Sequence, residues 1–124
     1  MIAGSMNAYR REATIRVTVL GSQGQSQEIE AIIDTGFTGS LTLPLSVIMT
    51  LGLVWISHGR VTLAGGSERL VNFYEATVLW DGTPRRVMVE ALDDDSLVGM
   101  TLLDGYELTI QAADGGRVTI TALP

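Results

Sequence analysis

The residues best suited to chemistry lie together in Ala31-Ile32-Ile33-Asp34-Thr35-Gly36-Phe37-Thr38-Gly39. Two β-branched apolar residues end a buried strand and deliver Asp34 at its tip. Glycines two and five positions later let the backbone turn at once. A carboxylate held there is partly shielded from water, yet it faces the N–H groups and hydroxyls of the turn. Such a group is a candidate acid or base. The plainer alternative is an Asx-type turn, in which Asp34 does no more than bond the Gly36 N–H.

Composition narrows the chemistry. The 124 residues contain no Cys and no Lys, so there is no thiol nucleophile, Schiff-base amine, P-loop lysine or cysteine-ligated metal. The single His58 cannot supply a two-imidazole site. Carboxylates, at 14 Asp plus Glu, are plentiful. The net charge of −6 argues against nucleic acid or an anionic membrane as a partner. The eight basic residues are scattered Arg, adjacent only at Arg10–Arg11 and Arg85–Arg86. Other conspicuous residues have ordinary readings. His58, beside Gly59, reads as solvated or structural, and Asp93-Asp94-Asp95 as a solvated turn without EF-hand spacing. Trp55 and Trp80 read as core or interface, Arg85-Arg86 as an exposed strand start, and Met100 as core.

These residues need a scaffold, and the length allows one domain. Residues 1–12 read as an N-terminal segment in which Gly4-Ser5-Met6 could be a cloning remnant, and residues 1–6 are assigned no role. Residues 13–124 form the domain. Its patterning is mostly period two. Ile15, Val17 and Val19 alternate with polar residues, as do Ile29, Ala31 and Ile33, then Leu108 and Ile110, then Val118 and Ile120. Turns are expected at Gly21–Gly24, Asp114-Gly115-Gly116, Asp81–Pro84 (joining Glu75–Trp80 to Arg86–Ala91) and Ala64–Ser67 (joining Arg60–Leu63 to Glu68–Tyr74). A short helix is expected over Leu45–Leu51, with Pro44 at its first position and Gly52 beyond its end. Thr101–Asp104 predicts a single further turn. The uncharged, apolar Leu41–Ile56 is too broken by Pro44 and Gly52 for a membrane span and reads as buried core. About eight strands with one or two short helices predict an all-β barrel or sandwich.

Asp34-Thr35-Gly36 after Ile32-Ile33 resembles the active-site motif of aspartic proteases. Leu97-Val98-Gly99, followed by Leu102-Leu103 about sixty residues further on, is similar to the second motif of the retropepsin-like branch. The resemblance covers residues 13–122. It implies a closed, barrel-like acid protease fold and an endopeptidase activity. Asp34 would be catalytic. Thr35 would brace the loop against a partner subunit, and Gly36 would give its N–H to the carboxylate. Phe37, Thr38, Gly65, Gly66 and Val98 would contact substrate, with Gly65-Gly66 at the tip of a flap and Val98-Gly99 at the base of a ψ-shaped loop. Phe37 departs from the pattern, since related chains carry Ala or Ser there. It cannot give a hydroxyl to the carboxylate, so the pH optimum is expected nearer neutral.

The resemblance further implies a homodimer. Hydrolysis needs one carboxylate to activate water and a second to protonate the substrate. One such motif per chain requires Asp34 from each of two copies. Terminal strands, Arg117–Leu123 and residues 7–12, are expected at the interface. The substrate would be an extended peptide, with no metal, cofactor, nucleic acid or membrane involved. The expected location is cytoplasmic. The rival is an inactive dimerisation or peptide-binding module of the same fold. A carboxylate-pair glycosidase, which needs both carboxylates in one chain, is the weaker rival enzyme.

Overall fold

A computed structural model describes residues 1–9, 11–62 and 64–124. Arg10 of the Arg10–Arg11 pair and Leu63 at the end of the strand expected over Arg60–Leu63 lie outside the described residues. The order of elements is β1 (Ile2–Asn7), β2 (Glu12–Leu20), β3 (Ser26–Ile33), β4 (Leu41–Leu43), α1 (Leu45–Leu51), β5 (Val54–Thr62), β6 (Glu68–Trp80), β7 (Thr83–Ala91), β8 (Leu97–Val98), α2 (Met100–Leu103), β9 (Tyr106–Ile110) and β10 (Arg117–Ala122). All ten strands belong to one sheet, ordered β5-β6-β7-β4-β8-β3-β2-β1-β10-β9. An additional antiparallel pairing of β2 with β6 sets Thr18 opposite Leu79 and Leu20 opposite Thr77. It closes the six strands from β6 to β2 into a ring.

The alternating apolar residues of these strands and of β10 gather into one buried core. Ile15, Val17, Val19, Ala31, Val78, Val89, Val118 and Ile120 are all buried, with Trp80 among them. Trp80 meets Tyr106 edge-on at 5.9 Å, a favoured geometry for aromatic pairs. The helix α1 spans the expected residues. Pro44 stands one place earlier than expected, as the extended N-cap, and Gly52 ends the helix at φ 62°. A four-residue helix should need outside help, and α2 has it: Arg85 donates to the carbonyls of Leu102 (3.0 Å) and Thr101 (3.2 Å). This gives Arg85 a partner, while Arg86 pairs with Glu75 at 2.7 Å.

Several expectations change. Residues 1–6, assigned no role, fall almost wholly in β1, which pairs with both β10 and β2. Asn7, at the end of β1, stands opposite Glu12, the first residue of β2. The two strands expected over 68–74 and 75–80 are one strand, β6, long enough to serve β5, β7 and β2. Within Leu41–Ile56 only part is core: Leu41, Leu43, Ile48, Leu51 and Leu53 are buried, whereas Met49 is 69% and Trp55 52% exposed. Trp55 stacks on His58, which sits within β5. Met100, expected in the core, is 48% exposed. Asp93 is more than a solvated turn residue, since its Oδ1 accepts the Leu45 N–H at the start of α1 (3.2 Å). Both edges of β10 are occupied within the chain, by β1 and β9. An interface through Arg117–Leu123 therefore cannot form by adding a strand to β10. Among the described residues, no helix is long and apolar enough to cross a membrane.

Candidate active site

The strand β3 ends at Ile33, and Asp34 begins the loop that leads to β4. The second motif is inserted between the two arms of this loop. β8 runs parallel to β3, with Leu97 beside Ile32 and Val98 beside Ile33, and Val98 also pairs with Leu41 of β4. Backbone bonds then fasten the loop along its length. Asp34 N–H donates to the Val98 carbonyl (2.9 Å) and Gly99 N–H to that of Ser40 (3.0 Å). Met100 N–H donates to Phe37 O (2.8 Å) and Thr101 N–H to Gly39 O (3.1 Å). The Thr101 hydroxyl donates to Thr38 O. The opening of α2 thus takes up the loop's carbonyls, which would otherwise lack partners.

The Asp34 carboxylate accepts the Gly36 N–H through Oδ1 at 2.9 Å. Both the catalytic reading and the Asx-turn reading require this bond. The other side-chain oxygen has no bond among the described residues. Asp34 is half-buried, while Thr35 and Gly36 are exposed.

Phe37 decides how tightly the two motifs pack. A Cβ on Gly99 would run into Gly39 O and stand 2.5 Å from Phe37 Cδ2 and 2.6 Å from Phe37 O. A Cβ on Gly39 would stand 2.5 Å from Phe37 Cζ. The ring therefore lies over two glycines, and no side chain fits at Gly99 without moving backbone.

A groove of about 800 Å³ opens above the loop. Asp34, Gly36, Phe37 and Thr38 form its floor, and Arg60, Val61, Thr62 and Ala64 of the β5–β6 hairpin line it from above. Glu90, Leu92 and Leu97 complete it. Four of the expected site residues thus share one groove. Gly65 and Gly66 form the exposed turn of the hairpin at φ 94° and 85°, a backbone that L side chains avoid. They do not line the groove in this conformation, and neither does Thr35. Val98 is fully buried between β3 and β4, so its side chain belongs to the core and Leu97 faces the groove in its place. A two-residue strand gives no period from which to choose the face.

Glu90 is the residue that sequence reasoning missed. In β7, Val87 and Val89 are buried, and Glu90 falls on the opposite face of the strand. It is half-buried, and loss of water around it raises its pKa above the ordinary 4.5. The alternation is visible in the sequence, but not what that face looks onto. Among the described residues, no group of three or more His, Asp or Glu is arranged to hold a metal ion.

No protein-family model and no curated protein matches this chain. Its fold is similar to that in the crystal structure of a retropepsin-like aspartic protease from Rickettsia conorii. The TM-score is 0.58 at 18% sequence identity, and the likeness covers 99% of this chain and 91% of that one. Identity this low speaks to the fold: a mostly β chain with two short helices, in the retropepsin-like arrangement.

Proposed function

We propose that the chain is an aspartic endopeptidase that acts as a homodimer, each copy supplying Asp34 to one shared centre. The observation that carries this reading is the setting of Asp34. Its carboxylate is held by the Gly36 N–H on a loop locked by the second motif, at the floor of a groove that a β-hairpin overhangs. A plain Asx turn requires neither the lock nor the groove.

In this reading two carboxyls about 3 Å apart share one proton, because both cannot ionise together. The ionised one takes a proton from water as the water oxygen adds to the peptide carbonyl. The neutral one protonates the carbonyl oxygen. The tetrahedral gem-diol then collapses: one hydroxyl returns its proton to the carboxylate left ionised, the C–N bond breaks and the leaving nitrogen takes the proton held by the other carboxyl. No covalent intermediate forms, which suits a chain without Cys or Lys. The exposed Thr35 would brace the partner's loop. Gly65 and Gly66 would come to the substrate as the tip of a closing flap.

Asp34→Asn tests this. The wild type should cleave unstructured polypeptide, and the variant should lose on the order of a thousandfold or more in kcat/KM. Unchanged fold and solution mass must accompany the loss. A folded wild type that binds peptide without cleaving it, across the range from acid to neutral pH, would favour the inactive module instead. Full activity in a strict monomer would point to a carboxylate pair within one chain.

A further inference from the structure

The groove contains a second carboxylate for which the proposed hydrolysis has no use. Glu90 is half-buried, and no hydrogen bond or ion pair reaches its side chain among the described residues. The cation that lines the groove, Arg60, is exposed and pairs with Glu68 at 3.3 Å. Surface acids normally stay hydrated, and buried ones are normally paired. Glu90 is neither, so its charge stands available to something that enters the groove.

Its surroundings specify the chemistry. Glu90 Oε1 and Phe37 Cζ both reach the space over Gly39, lying 3.0 Å and 2.5 Å from where a Cβ would stand on that residue. Phe73 stands directly opposite Glu90 in β6, and residues so paired share a face of the sheet. The Phe73 ring leans away over Gly59 of β5, so the aromatic surface beside this carboxylate is that of Phe37. An aromatic wall ending in an unpaired carboxylate fits a long side chain with an apolar stem and a cationic head. A guanidinium can also stack on the ring. A neutral side chain of the same length would leave the carboxylate desolvated and unpaired, which is the stronger part of the discrimination.

We infer that Glu90 is a specificity-determining residue that selects Arg or Lys in the peptide occupying the groove. This rests on the peptide-hydrolase reading above for the nature of the ligand.

The test uses the full chain carrying Asp34→Asn, so that binding is read without turnover. The probes are blocked octapeptides, identical except for Arg, Lys, Gln or norleucine at one position, which is walked along the peptide. At one position the Arg and Lys peptides should bind at least about tenfold more tightly than the other two. Adding Glu90→Gln should bring them down to the affinity of the Gln peptide. Equal affinities at every position, no binding at all, or a preference that survives Glu90→Gln would overturn the inference. So would a preference that appears only with Arg60→Gln, since that would give Glu90 to Arg60. Cleavage of the same peptides by the unaltered chain is scored separately. Charge-selective binding without cleavage would sink the hydrolase reading and leave Glu90's role standing. Cleavage with no charge preference would do the reverse.

Discussion

Among single residues, the site is shaped by what Asp34 lacks around it and what Phe37 adds. Asp34 is held by one N–H donor and is otherwise open to the groove. Phe37 fills the space over Gly39 and Gly99 and at the same time forms part of the floor. Glu90 carries a measurable consequence for stability. Burial holds its carboxyl above 4.5 when folded, whereas the unfolded chain restores the ordinary value. Between those two values the folded state binds more protons than the unfolded one, so this group lowers stability as pH rises through the window. Glu90→Gln removes that loss. Urea midpoints should therefore shift increasingly in favour of the variant as pH rises past the ordinary carboxylate value. A variant that instead loses ground at neutral pH would show that the charge has a stabilising partner.

Among the elements, β8 and α2 hold the Asp34 loop, which its own sequence could not do. Neither is stable alone: β8 is two residues and α2 four. They persist because β8 is clamped between β3 and β4 and because Arg85 closes the end of α2. Gly99 is the point at which the two motifs come closest. Gly99→Ala would press a methyl group onto two carbonyl oxygens and a ring. Overpacking against backbone of this kind should cost about 1–3 kcal/mol, read as a lower urea midpoint. Because the Asp34 loop would be displaced, activity should fall further than the folded fraction accounts for. Equal losses in the two would mean that the loop tolerates the shift. Elements with their own local signal are legible in the sequence. Pro44, the apolar run and Gly52 bound α1, and alternation marks β2, β3, β9 and β10. Sequence reading divides β6 in two because each half pairs with a different neighbour, and local period carries no record of the partner. It misses β1 because Gly4-Ser5-Met6 has weak strand propensity, and the strand's place is made by β2 and β10 on either side.

For the molecule as a whole, one Asp34 per chain makes the number of copies the central question. The proposed mechanism requires a particle of about twice 13.3 kDa, observable by sedimentation with the extended peptide present. Two chains of net charge −6 repel, so added salt should tighten their association by screening. Weakening by salt would instead mean an interface held by ion pairs. Since β10 lies between β1 and β9, the copies cannot meet by extending the ladder at β10. β9 is the sheet edge left open at that end, and β5 the one at the other.

The available chemistry can be read from the chain without its fold, because it depends on which side chains exist at all. The same holds for the motif that ends in Asp34 and for the elements with strong local patterns. Local period cannot specify which strands neighbour one another, so the folded chain was needed to put β8 between β3 and β4 and to bring β2 to β6. Those pairings buried Val98, turned Leu97 to the groove and left Trp55 outside. They also brought Glu90 over Gly39, about fifty positions away in the chain, because β7 runs beside β4 and not because anything near Glu90 marks it.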